Sequence, residues 1–167
     1  MRKQMDRRTV AKGAGIAAAL SLLREHAAAT GTPTAEGTPE PTLYDRVGGI
    51  FAIAAVVDRF SDAIITNPKL NENPALKAWN ETEAETRLPG LKFMRTLWVA
   101  ALAGGPYEYT GLPLSEAHTR FKLTAAEFDE VGAEIVRALE YYQVPEAETK
   151  LLVDAYMMSK PDVVADA

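Results

Sequence analysis

From Thr42 onward, apolar positions recur at three- and four-residue spacing, the period of a helix with one buried face. Thr42-Leu43-Tyr44-Asp45 reads as a capping box with Asp in the place of Glu, opening a short helix that Gly48-Gly49 breaks. Ile50 to Thr66 follows, with Phe51, Ala54, Val57, Phe60 (or Ser61) and Ile64 on its expected apolar face. Asn67-Pro68 and Asn73-Pro74 mark turns, because the residue before proline avoids helical dihedrals. The polar stretch Ala75–Arg87 leaves room for a short helix around Leu76–Trp79. A helix is expected from Leu88, with Pro89 at an early position, to about Ala103; Leu91, Met94 (or Arg95), Trp98 and Ala101/Leu102 share one face, and Phe93 and Leu97 are expected in the core. Gly104-Gly105-Pro106 ends it, and a loop through Gly111-Leu112-Pro113 leads to a short helix carrying His118. Thr124-Ala-Ala-Glu127 is a full capping box before Phe128, Val131, Ile135, Leu139 and Tyr142. Pro145 opens a last helix ending near Lys160-Pro161. No segment alternates long enough to predict a strand, so the expected fold class is all-α.

Ahead of this pattern the character of the chain changes. Arg7-Arg8-Thr9-Val10-Ala11-Lys12, an apolar run from Ala11 to Leu23 and the small residues Ala27-Ala28-Ala29 resemble a twin-arginine export signal over residues 1–29. The run is too short to span a bilayer. Residues 30–41, with Gly31, Pro33, Gly37, Pro39 and Pro41, read as a flexible linker. Residues 42–160 form the expected domain and 161–167 a tail. The expected location is periplasmic or otherwise exported, and cytoplasmic if residues 1–29 are not a signal.

Composition narrows the chemistry. The 167 residues include no cysteine, which excludes disulfides, thiolate metal sites and cysteine nucleophiles. Two histidines, His26 and His118, are too few for most zinc enzymes. The segment 1–29 holds six of the 18 basic and two of the 23 acidic residues, which leaves 12 against 21, formally −9, on the remainder. Such a surface repels phosphate backbones, so no nucleic-acid partner is expected, and no membrane partner for the processed chain.

The run Gly104-Gly105-Pro106-Tyr107-Glu108-Tyr109-Thr110-Gly111-Leu112-Pro113-Leu114-Ser115-Glu116-Ala117-His118 resembles the stretch leading to the proximal histidine of truncated haemoglobins. Leu43-Tyr44-Asp45-Arg46-Val47-Gly48-Gly49 is similar to the opening of that family, and Leu123-Thr124-Ala-Ala-Glu127-Phe128 to the start of its penultimate helix. The resemblance spans roughly residues 42–160 and implies a group 1-like, two-over-two helical sandwich that holds haem b, with His118 as the iron ligand. Haem iron takes a neutral imidazole nitrogen on one axial side and an apolar slot that excludes water.

On the opposite side the sequence departs from the family. Ser61 stands where a distal tyrosine is expected, Leu91 where a glutamine or histidine is common, and Trp98 in place of a haem-facing Phe. Arg95 is open to two roles, a distal donor or a partner of a haem propionate, and Met94 to ligation or plain core packing. The remaining expected cofactor contacts are Phe60, Tyr109, Phe121 and Leu123, while Tyr107 is expected to pack the loop. The function implied is reversible binding of a diatomic ligand (oxygen, nitric oxide or carbon monoxide), with oxygen binding or transport the family role, in a ligand-binding protein more than an enzyme. Its alternatives are a haem-free helical interaction module and a haem electron-transfer or redox protein; peroxidase chemistry lacks a distal histidine.

Overall fold

The computed structural model describes residues 39–165, within the compact unit Gly37–Ala167. The expected export signal and all but the end of the linker lie outside the described residues.

The fold begins at a tight corner. In α1 (Leu43–Arg46) the capping box closes as expected: Asp45 N donates to Thr42 Oγ1 (3.2 Å) and Thr42 N to Asp45 Oδ2 (2.9 Å). Gly48 and Gly49 then take φ of 92° and 75°, where a side chain is disfavoured, and swing the chain into α2 (Gly49–Thr66). Tyr44 fastens this corner, its amide donating to Ala103 O (2.9 Å) and its hydroxyl accepting from Ile50 N (3.0 Å).

A 3-10 turn (Leu70–Glu72) leads to α3 (Pro74–Thr82), capped by the Asn73 side chain with Pro74 as first residue. After Glu83 comes α4 (Ala84–Leu102), which starts four residues earlier than the sequence pattern predicts, so that Pro89 lies inside it. Pro89 and Glu85, whose carbonyl loses its helical partner, are both exposed, so the missing bond falls on the solvent side. The rest is α5 (Leu114–His118), a 3-10 turn (Thr119–Phe121), α6 (Ala125–Tyr141), α7 (Glu146–Met157) and α8 (Lys160–Val163). The expected tail is thus ordered at its start: Ala165 N donates to Leu123 O (3.0 Å), and Val164 forms an isolated bridge with Leu123.

Helix α2 packs on α4 and on α6, and α6 packs on α7. Ile53, Val57 and Ala100 form the buried seam between α2 and α4. On the other side, Phe128 (1% exposed) stacks on Tyr156 with centroids 4.3 Å apart, and Tyr156 Oη donates to Phe128 O (2.7 Å). Asn67 joins α2 to α6 by donating to Glu130 (3.0 Å) and Glu134 (2.7 Å).

Two aromatic expectations are corrected. Phe51 is 88% exposed: the buried stripe of α2 is Ile53, Val57 and Ser61, and Phe51 lies about 200° around the helix from Ile53. Phe93 is 62% exposed although Ala100, one heptad on, is fully buried. The buried stripe runs through Thr96 and Ala100, and one turn before Thr96 Asp58 and Asp62 of α2 approach Lys92 at 2.6 Å each.

Candidate functional site

Helices α2 and α4 on one side, and α5, α6 and the turn after α5 on the other, enclose a cavity of about 440 Å³ with a mainly apolar lining. That size falls within the roughly 300–1,000 Å³ of cofactor and small-molecule sites.

His118 ends α5 and lines this cavity. Its Nδ1 lies 2.8 Å from Leu114 O, one helical turn back. A carbonyl oxygen only accepts, so Nδ1 carries the proton and Nε2 keeps its lone pair. Burial pushes the imidazole below its usual range; the Leu114 bond works against this, and the positive charge of Arg95 adds to it. The histidine is therefore held neutral. The backbone is fixed nearby as well, since Lys122 takes φ of 47° and Asn73 Nδ2 donates to Phe121 O (3.0 Å), bracing the start of α3 against the segment after His118. Phe121 and Leu123 line the same wall. Tyr109 also reaches the cavity, with Oη donating to Leu112 O (2.9 Å). A Cβ at Gly111 would collide with its ring, which explains the glycine two residues on. Tyr107 packs at the corner against Tyr44, centroids 6.0 Å apart.

Phe60, Leu91, Met94, Arg95 and Trp98 line the cavity from α2 and α4. Ser61 is wholly buried and touches the site through Arg95, whose Nη1 donates to Ser61 Oγ (3.1 Å). The guanidinium also lies 5.5 Å from the Phe60 ring centre, within cation–π range. Burial lowers its pKa to about 10, with no carboxylate among the described residues opposing it, and it still remains charged at neutral pH. Trp98 Nε1 is buried without a hydrogen-bond partner among the described residues.

The structure thus gathers nine of the ten sequence-predicted contacts on one cavity wall or another, with Ser61 directly behind Arg95. Sequence reasoning missed Val57, Leu76, Trp79, Phe128 and Ile135, which line it too. Their signal was present as apolar helix faces, but nothing local separates a face turned to a cavity from one turned to a core. The donor set suits haem: a neutral imidazole with a free nitrogen, apolar walls on both sides, and an unpartnered indole N–H and a guanidinium for polar groups brought in with a ligand.

Comparison with known proteins agrees with this chemistry. Residues 42–163 match the bacterial-like globin family. A group 1 truncated haemoglobin from Mycolicibacterium paratuberculosis is 26% identical over 122 residues, covering 73% of this chain and 83% of the relative. One from Nostoc commune is 26% identical over 113 residues, 68% of this chain and 88% of the relative. Among solved structures, the truncated haemoglobin of Tetrahymena pyriformis in its Fe(III) form superposes with a TM-score of 0.64 at 21% identity, over 74% of this chain and 98% of that one. The haemoglobin of Chloroflexus aurantiacus does so at 0.61 and 25%, over 75% and 98%. The helical arrangement is the two-over-two sandwich of these structures.

Proposed function

This chain belongs to the bacterial-like globin family and takes haem iron as its cofactor, and on that premise we propose that it reversibly binds a diatomic gas with His118 as the proximal ligand. The observation that carries the reading is the His118 imidazole on the wall of an apolar cavity, with Nδ1 committed to Leu114 O and Nε2 therefore available to a metal. The haem supplies an open coordination position where oxygen, nitric oxide or carbon monoxide is held. What the protein contributes is distinct on each side. From α5, the Leu114 carbonyl fixes the tautomer and the ring direction of His118 and raises its basicity as a ligand. From α2 and α4, Phe60, Leu91, Met94 and Trp98 exclude water, and Arg95 offers a charged donor in place of the tyrosine and glutamine of related proteins.

Reconstitution tests this reading. One equivalent of haemin should give a sharp Soret band, and the reduced protein should bind carbon monoxide reversibly; a spectrum indistinguishable from free haemin would refute it. No helix among the described residues is long and apolar enough to cross a membrane. We further propose that residues 1–29 export the folded domain. A reporter fused after Ala29 should leave the cytoplasm through the twin-arginine route and be retained in the Arg7→Lys/Arg8→Lys variant; equal export of both would contradict it.

A further inference from the structure

Arg95 is an isolated charge. Lys92, three residues earlier on α4, has two carboxylates at 2.6 Å, whereas Arg95 forms no ion pair among the described residues and faces an apolar cavity with only neutral partners, the Ser61 hydroxyl and the Phe60 ring. A buried cation normally has a counter-charge, because the desolvation cost is otherwise uncompensated. A guanidinium has five N–H donors, of which the bond to Ser61 uses one. One turn on along the same face, Trp98 Nε1 is a second buried donor without an acceptor among the described residues. Donors thus accumulate on one wall of the cavity, and no carboxylate of the described residues answers them.

We propose that Arg95, braced by Ser61, makes this pocket selective for small inorganic anions, such as nitrite or azide, over neutral ligands of the ferric haem. The proposal rests on the haem-binding reading above. An anion of this class has one lone pair for the iron and a second atom able to accept from a guanidinium. Ser61 matters because it is too short to cross the cavity itself: by accepting from Nη1 it holds the guanidinium against α2, and the remaining donors stay free for a ligand. Other negative groups could meet the same charge, the foremost being a carboxylate of the haem itself, and the test separates the two sources.

The ferric holoprotein is titrated with sodium nitrite, and separately with imidazole as a neutral ligand, following the Soret band in wild type, Arg95→Leu and Arg95→Lys. Loss of a hydrogen bond to a charged group predicts that Arg95→Leu weakens nitrite by roughly tenfold to hundredfold. Imidazole should move by less than about threefold, and Arg95→Lys, which keeps charge but not the fork, should fall between. An unchanged nitrite affinity in Arg95→Leu, or equal shifts for both ligands, overturns the proposal. So does faster haem loss to an apoglobin scavenger with nitrite unaffected, which would assign Arg95 to the haem carboxylate. If Arg95→Leu does not retain haem, Arg95→Lys decides, because its weaker nitrite binding at constant imidazole binding supports the proposal and a common shift defeats it. A wild-type protein with an intact Soret band and indifference to nitrite sinks this proposal alone; no Soret band at all sinks the haem-binding reading with it.

Discussion

Removing the Ser61 hydroxyl perturbs the site at the one bond that holds its charged side chain. Ser61 is completely buried, and Arg95 Nη1 donates to its Oγ at 3.1 Å. Hydrogen bonds to charged groups contribute about 1.5–3 kcal/mol, and Ser61→Ala leaves a buried guanidinium donor without its partner, so a loss in that range is expected. At about 2–4 °C per kcal/mol for a chain of this size, the melting temperature should fall by about 3–12 °C. In an Arg95→Leu background the same hydroxyl has no partner to lose, and Ser61→Ala should be neutral or stabilising, because an unpaired buried hydroxyl costs its desolvation by being kept. The double-mutant cycle therefore predicts a coupling of at least about 1.5 kcal/mol between two residues 34 positions apart. Urea unfolding of the haem-free protein, followed by far-UV circular dichroism with constant denaturant slope, measures it without reference to any ligand. If Ser61→Ala costs the same in both backgrounds to within about 0.5 kcal/mol, the two side chains do not share a bond and the picture of the distal wall is wrong.

Other consequences can be checked alongside. Two glycine substitutions should differ in sign by urea unfolding: Gly105→Ala drives a methyl into the Tyr44 ring and the Ala100 carbonyl and should cost about 1–3 kcal/mol, while Gly90→Ala, mid-helix with nothing within 4 Å, should stabilise by about 0.5–1 kcal/mol. Tyr156→Phe removes the donor to Phe128 O and should lower unfolding free energy by about 1 kcal/mol; no change would mean the hydroxyl is as well served by water. Bonds from Lys69 and Asn67 hold the Glu130 carboxyl below its ordinary range. A carboxylate lowered in the folded state stabilises above its unfolded pKa and loses that effect as pH falls through the folded value. Melting temperature should therefore drop less steeply below about pH 4.3 in Glu130→Gln than in wild type, and parallel curves would count against the assignment.

Most of the architecture was legible because it rests on local chemistry. Both capping boxes, the double glycine after α1 and the proline-marked turns act within a few residues, and each stands where the pattern put it. The misreadings arose where tertiary context decides. Pro89 looks like a helix start, but its carbonyl partner Glu85 faces solvent, so the helix tolerates it. Phe51 and Phe93 fit an apolar period, yet which face of a helix is covered depends on a neighbour far away in sequence. At the site, His118 was singled out by the run of residues before it, and the structure places it on the cavity wall. The departure of Ser61 from the family pattern and the open role of Arg95 were also visible, but as two separate oddities. Only the packing of α2 on α4 joins them into one hydrogen-bonded unit. The Leu114 carbonyl that sets the His118 tautomer carries no side-chain signature, so no sequence pattern could have named it.

The central claim is that the His118 Nε2 lone pair holds the iron. His118→Gly, reconstituted with haemin and titrated with imidazole, addresses it most directly, since a free imidazole can enter the space the side chain vacates. The variant should lose the Soret band of the wild type and recover it on adding imidazole. A variant that keeps the wild-type spectrum and haem affinity without imidazole would show that another residue ligates the iron.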